Sequence, residues 1–135
     1  MTKVRIGERA FKIFFATEPT IKSGILGKVA RMEGKQDWGI ENVGELVETI
    51  AELLLVGLQK FHSDEFGFNY TTGDGKDVAL SKVYDLLDDL TTDEDESNTY
   101  LSIFTVLQNE MIENGFFKKL FRKEQEEAEM ESKAE

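Results

Sequence analysis

Val43-Gly44-Glu45-Leu46-Val47-Glu48-Thr49-Ile50-Ala51-Glu52-Leu53-Leu54-Leu55-Val56-Gly57-Leu58-Gln59-Lys60-Phe61 is the stretch on which the fold turns. Val43, Leu46, Val47, Ile50, Leu53, Leu54, Leu58 and Phe61 recur at steps of three and four, which places them on one side of a helix. Asn42 followed by Glu45 resembles a capping box. Glu41, Glu45, Glu48 and Glu52 crowd the first half, where negative charge complements the helix dipole, and Lys60 suits the other end. The stretch predicts a core helix over residues 43–61 with an acidic outer face.

Upstream, Val4, Ile6, Phe11, Ile13 and Phe15 alternate with polar residues around Gly7-Glu8, the pattern of two short strands joined by a tight turn. Thr17 is placed to cap a helix that begins at Glu18-Pro19, since proline is tolerated in a first turn. Ile21, Ile25, Val29 and Met32 continue it as one apolar stripe, Gly34 is the expected stop, and residues 35–41 read as a loop carrying Trp38.

Downstream, Phe66, Phe68 and Tyr70 alternate before Gly73-Asp74-Gly75, so a loop or short extended segment with aromatic packing is expected. Asp77 is positioned to cap a helix running through Leu90, with Leu80, Val83, Tyr84, Leu87 and Leu90 on one face and Asp85, Asp88 and Asp89 elsewhere. Residues 91–97 read as a polar connection or as the exposed first turn of the next helix. A further helix over 98–113 buries Leu101, Phe104, Leu107 and Met111 and ends at Asn114-Gly115. The fold class that follows is α+β, mostly helical, with an N-terminal β-hairpin packed on about four helices. A single domain over residues 1–121 is followed by a charged tail, 122–135, too poor in apolar residues to fold alone.

Phe116, Phe117, Leu120 and Phe121 form a small amphipathic cluster between the last helix and that tail. Docking on the chain's own core and binding a partner both remain open for it, and the candidate partner contact is placed there.

Charge narrows the function classes. The chain of 135 residues carries net charge −11, unevenly: +5 over residues 1–36, −15 over 37–115 and −1 over 116–135. A negative protein repels phosphate backbones within a Debye length, so general nucleic-acid binding is not expected. No cysteine is present and there is one histidine, which excludes a disulfide framework and leaves little for transition-metal coordination. No apolar run approaches the ~20 residues of a membrane span, and no secretory signal is visible at the start, so a cytoplasmic protein is expected.

The motifs that carry chemistry are weak. Ser23-Gly24-Ile25-Leu26-Gly27-Lys28-Val29 fails the phosphate-loop pattern at Lys22 and Val29. Gly24-Ile25-Leu26-Gly27 has the form of a KH-domain loop, but its central pair is apolar and reads as close helix packing. Asp85, Asp88, Asp89 and the run Asp93-Glu94-Asp95-Glu96 lack the framework of a calcium loop and read as a solvated face, or as a surface for a basic partner. His62, just past the long helix, reads as an imidazolium at a helix C-terminus. No nucleophile is paired with it, and neither catalysis nor a cofactor is expected.

In order, the opening hairpin, the helix over 43–61, Asp64-Glu65-Phe66-Gly67-Phe68, the acidic helix with Tyr84-Asp85-Leu86-Leu87-Asp88-Asp89-Leu90, and Phe116-Phe117-Lys118-Lys119 resemble the tail assembly chaperones of long-tailed siphophages, above all those of phages and prophages of Gram-positive bacteria. The resemblance implies a non-enzymatic protein of the host cytoplasm, absent from the mature virion. Its implied partners are the tape measure protein, which it coats, and the tail tube protein, whose polymerisation it assists; self-association is compatible with that role. The Lys/Glu-rich ending fits the short form of a pair made by ribosomal frameshifting. The competing expectation is a small acidic regulatory or inhibitor protein that occupies a basic surface of a host protein.

Overall fold

The computed structural model describes residues 2–33 and 39–114. Strands β1 (Lys3–Ile6) and β2 (Arg9–Lys12) pair antiparallel, with Ile6 opposite Arg9, Val4 opposite Phe11 and Lys3 opposite Lys12. Gly7 holds the first of the two turn positions with φ of 62°. That is the conformation of a II′ turn, whose twist suits the flanking strands. The ladder runs one pair further, since the Ile13 N–H donates to the Thr2 carbonyl at 3.0 Å. Val4, Ile6, Phe11, Ile13 and Phe15 are all buried, as their alternation predicts.

The helix expected next is two helices, α1 (Thr17–Lys22) and α2 (Ile25–Glu33). Gly24 between them has φ of 73°, a left-handed backbone that no helix interior adopts. The break rotates Ile21 out of the predicted stripe: it is 51% exposed, whereas Ile25, Val29 and Met32 are buried. Thr17 is the first helical residue rather than the cap; Ala16 occupies the cap position without a side-chain hydrogen bond.

Helix α3 (Ile40–Leu58) starts earlier than its apolar pattern. Asn42 is therefore inside the first turn, with its N–H donating to the Gly39 carbonyl at 2.9 Å, and Gly39 rather than Asn42 holds the N-cap position. Val43 and Phe61, at the two ends of the predicted stripe, are exposed. Between them every residue from 49 to 59 is buried, so this half of α3 is enclosed on all sides.

The hairpin crosses α3 at Gly57. The Phe14 N–H donates to the Gly57 carbonyl at 3.1 Å, and a Cβ at position 57 would lie 2.9 Å from Ile13 Cγ2 and 3.2 Å from the Phe15 ring. Helix propensity disfavours glycine here by about 1 kcal/mol relative to alanine; the close approach is what requires it.

Beyond α3, Ser63–Phe66 makes one helical turn, α4, where a loop was expected. Helix α5 (Lys76–Thr91) buries Ala79, Val83, Leu86, Leu87 and Leu90; Leu80 is half-buried and Tyr84 is 38% exposed. Helix α6 (Tyr100–Glu113) starts with a capping box, the Ser102 N–H donating to Thr99 Oγ1 at 3.1 Å and the Thr99 N–H to Ser102 Oγ at 2.8 Å. It buries Ile103, Phe104, Leu107 and Met111, while Leu101 is 49% exposed, contrary to its predicted place in the core. The described residues thus form an α+β fold with a two-stranded hairpin and six helices, two of them short. The expected stops at Gly34 and Gly115, the Trp38 loop, the cluster Phe116, Phe117, Leu120 and Phe121, and the tail 122–135 lie outside the described residues.

Two glycines of α3 should respond oppositely to alanine. Gly57→Ala forces overpacking against two fully buried side chains, which costs about 1–3 kcal/mol and exceeds the propensity gain, so urea denaturation should show a net loss. Gly44 faces open space, and Gly44→Ala should stabilise by up to about 1 kcal/mol.

Candidate interaction surfaces

Both edges of the hairpin are tied down by side chains from distant segments. On the β1 edge, Asn98 Nδ2 donates to the Arg5 carbonyl at 3.0 Å and to Asp93 Oδ2 at 3.0 Å. On the β2 edge, the Lys12 N–H donates to His62 Nε2 at 3.1 Å. His62, expected at the end of the long helix, thus spends its Nε2 on the hairpin edge. Its ring also packs edge-on against Phe11, with centroids 5.4 Å apart.

The guanidinium groups extend this attachment. Arg5 reaches Asp93 and Asp95 at 3.2 Å each, and Arg9 clasps Glu65 through two bonds of 3.0 and 2.7 Å while stacking 4.5 Å over the Phe11 ring. The Arg9 hydrogen bonds hold the Glu65 carboxyl below the ordinary carboxylate range. Asp93 is held low chiefly by the Asp95 N–H and the Asn98 amide, and Asp95 chiefly by Ser97. Between these groups lies a cleft of about 680 Å³ lined by Arg5, Arg9, Asp89, Asp93 and Glu94 among others. Of its charged walls, Arg5 is paired with Asp93, and Arg9 is turned to Glu65.

Glu52 departs from the acidic outer face on which sequence spacing put it. Its side chain is 10% exposed and is shared by Lys28 of α2 and Lys76 of α5, the latter at 3.7 Å. Glu41, Glu45 and Glu48 remain exposed as expected. Burial, then the charges of Glu48 and Glu52, raise the Tyr84 hydroxyl above the ordinary phenol range. Glu110 is a second buried carboxylate; it accepts hydrogen bonds from Thr2 Oγ1 and, at 2.8 Å, from Asn114 Nδ2.

Three kinds of surface remain. Asp85, Asp88 and Asp89 on α5, with Glu94, Asp95 and Glu96, make an exposed acidic face; no grouping of metal-ligating side chains occurs among the described residues. Helix α6 presents one outward side on which Leu101 and Ile112, about three turns apart and 49% and 45% exposed, are separated by Thr105 and Gln108. It runs toward the chain position of Phe116, Phe117, Leu120 and Phe121. Near the hairpin, Phe61 is 40% exposed and meets Phe14 edge-on with centroids 6.5 Å apart.

The remaining sequence candidates are structural. Phe66 is buried and Phe68 packs against the core, with Tyr70 edge-on to Phe68 at 5.4 Å. The Gly24 and Gly27 pair does not mark close packing, because a Cβ at either position would meet no heavy atom within 4 Å; Gly24 serves the backbone break and Gly27 faces open space. Among the described residues no helix is long and apolar enough to cross a membrane. No family model, curated protein or solved structure matches the chain.

Glu52→Ala should destabilise by about 2 kcal/mol, less than the 3–5 kcal/mol of a fully buried pair because both lysines reach water, while Glu48→Ala should be near neutral; chemical denaturation distinguishes them. Stability should also depend on acid. Because Glu65, Asp93 and Asp95 have lowered folded pKa values, their contribution is complete above the ordinary carboxylate range and is lost as pH falls through the folded values. Melts between pH 7 and 3 should show a steeper loss for the native chain than for Arg5→Ala/Arg9→Ala.

Proposed function

We propose that this chain is a tail assembly chaperone of the siphophage type, a non-enzymatic factor that binds the tape measure protein and assists tail tube polymerisation. The observation that carries the reading is the exposure of Leu101 and Ile112 on one side of α6, a helix followed in the chain by Phe116, Phe117, Leu120 and Phe121, in a protein of net charge −11. A long, apolar, helical client that would otherwise aggregate calls for such a surface: modest apolar contact framed by solubilising charge. The chain order of hairpin, enclosed helix and acidic helix supports the same reading through its resemblance to that family. Under it the protein acts in the host cytoplasm and leaves before the virion is complete.

The exposed acidic face of α5 favours a second reading, a regulatory or inhibitor protein that covers a basic surface of a host protein. Charge separates the two. Asp85→Lys/Asp88→Lys should leave tape measure binding intact and should abolish binding under the inhibitor reading.

Co-expression with a tape measure segment, scored for solubility and co-purification, tests the proposal. Phe117→Ser/Phe121→Ser should abolish co-purification and leave the melting temperature within a few degrees, whereas deletion of residues 124–135 should have little effect, since aromatic anchors dominate interfaces and solvated charges add little. Loss of the fold with retained binding would place the partner surface elsewhere.

A further inference from the structure

The outward face of the hairpin carries a repulsion that no ion pair among the described residues offsets. Lys3 and Lys12 are directly opposite in the strand register and both are exposed; like charges at such a pair destabilise a hairpin. Lys12 Nζ lies 5.9 Å from the centre of the Phe61 ring, Phe61 packs on Phe14, and exposed Lys60 precedes Phe61 in the chain. Among the described residues, the ion pairs involve Arg5, Arg9, Lys28 and Lys76, and none involves Lys3, Lys12 or Lys60. Glu110, the carboxylate bonded to Thr2 beside Lys3 in the chain, is buried.

A protein of net charge −11 thus keeps lysines without ion pairs beside two aromatic rings that meet edge to face. We infer that this face, Lys3, Lys12, Phe14, Lys60 and Phe61, is a docking surface for an acidic segment of another protein that carries an apolar anchor. The lysines select negative charge, and the half-exposed Phe61 ring supplies the desolvated contact on which affinity depends. A polypeptide is favoured over nucleic acid because the acidic remainder of the chain would repel a long phosphate backbone. The surface includes none of Phe116, Phe117, Leu120 and Phe121, and the inference does not rest on the chaperone reading.

The test uses the full chain and a fluorescent synthetic peptide in which Glu alternates with Leu and Phe, read by anisotropy. Binding should weaken about tenfold in Lys3→Glu/Lys12→Glu, weaken comparably in Phe61→Ser, and decline with added salt. Lys12→Glu alone supplies the control for folding. It converts the like pair into an opposite one, so its melting temperature should equal or exceed the native value while peptide binding falls. Equal affinity of the charge-reversed variant, equal binding of a peptide with Gln in place of Glu, or tighter binding of a single-stranded oligonucleotide would overturn the inference. Concentration-dependent self-association abolished by Lys12→Glu would overturn it in favour of a second copy as occupant.

Discussion

Enclosure of the C-terminal half of α3 is the constraint that every other element answers to. An amphipathic helix needs cover on one side, but residues 49–59 need it all round, and no single layer can supply that. Helices α2, α5 and α6 cover three sides, and the hairpin closes the remaining one only because Gly57 lets Ile13 and Phe15 reach the helix backbone. A wider residue there would hold the strands off and open the same helix to water.

The uneven charge along the chain takes its meaning from this packing. The basic opening segment faces an acidic middle, and the structure joins them residue by residue: Arg5 to Asp93 and Asp95, Arg9 to Glu65, Lys28 to Glu52. Most of these pairs are exposed and individually weak. Their role is orientation, since each links an early element to a later one and penalises any other seating of the hairpin. The lysines left over, on the outer face, are where the opening segment turns from attachment to recognition.

Much of the fold was legible because its elements obey local periodicity. The strands, the long helix and the buried faces around Val83 and Leu87 follow from spacing alone. Spacing failed where burial was decided by distant partners. Glu52 falls on a run of glutamates at helical intervals, and only Lys28 and Lys76, far away in sequence, draw it inward. Leu101 and Ile103 are both apolar on a helix with apolar residues on two sides, so pattern could not say which turns to the core. The break after α1 did leave a signal in Gly24, and the Lys3 and Lys12 pairing follows from a two-residue turn at Gly7-Glu8. The candidate aromatic cluster was legible only as composition.

The attachment of Thr2 to Glu110 spans 108 positions of sequence, and it sets an order of events in folding. A lone two-stranded hairpin is marginal in water, and this one precedes in the chain every element it packs on. Its seat at Gly57, its edge bond from Asn98 and its anchor at Glu110 arrive in that sequence. The first strand is therefore the last element to be secured. Such non-local closure slows folding relative to a plain helical bundle of the same size.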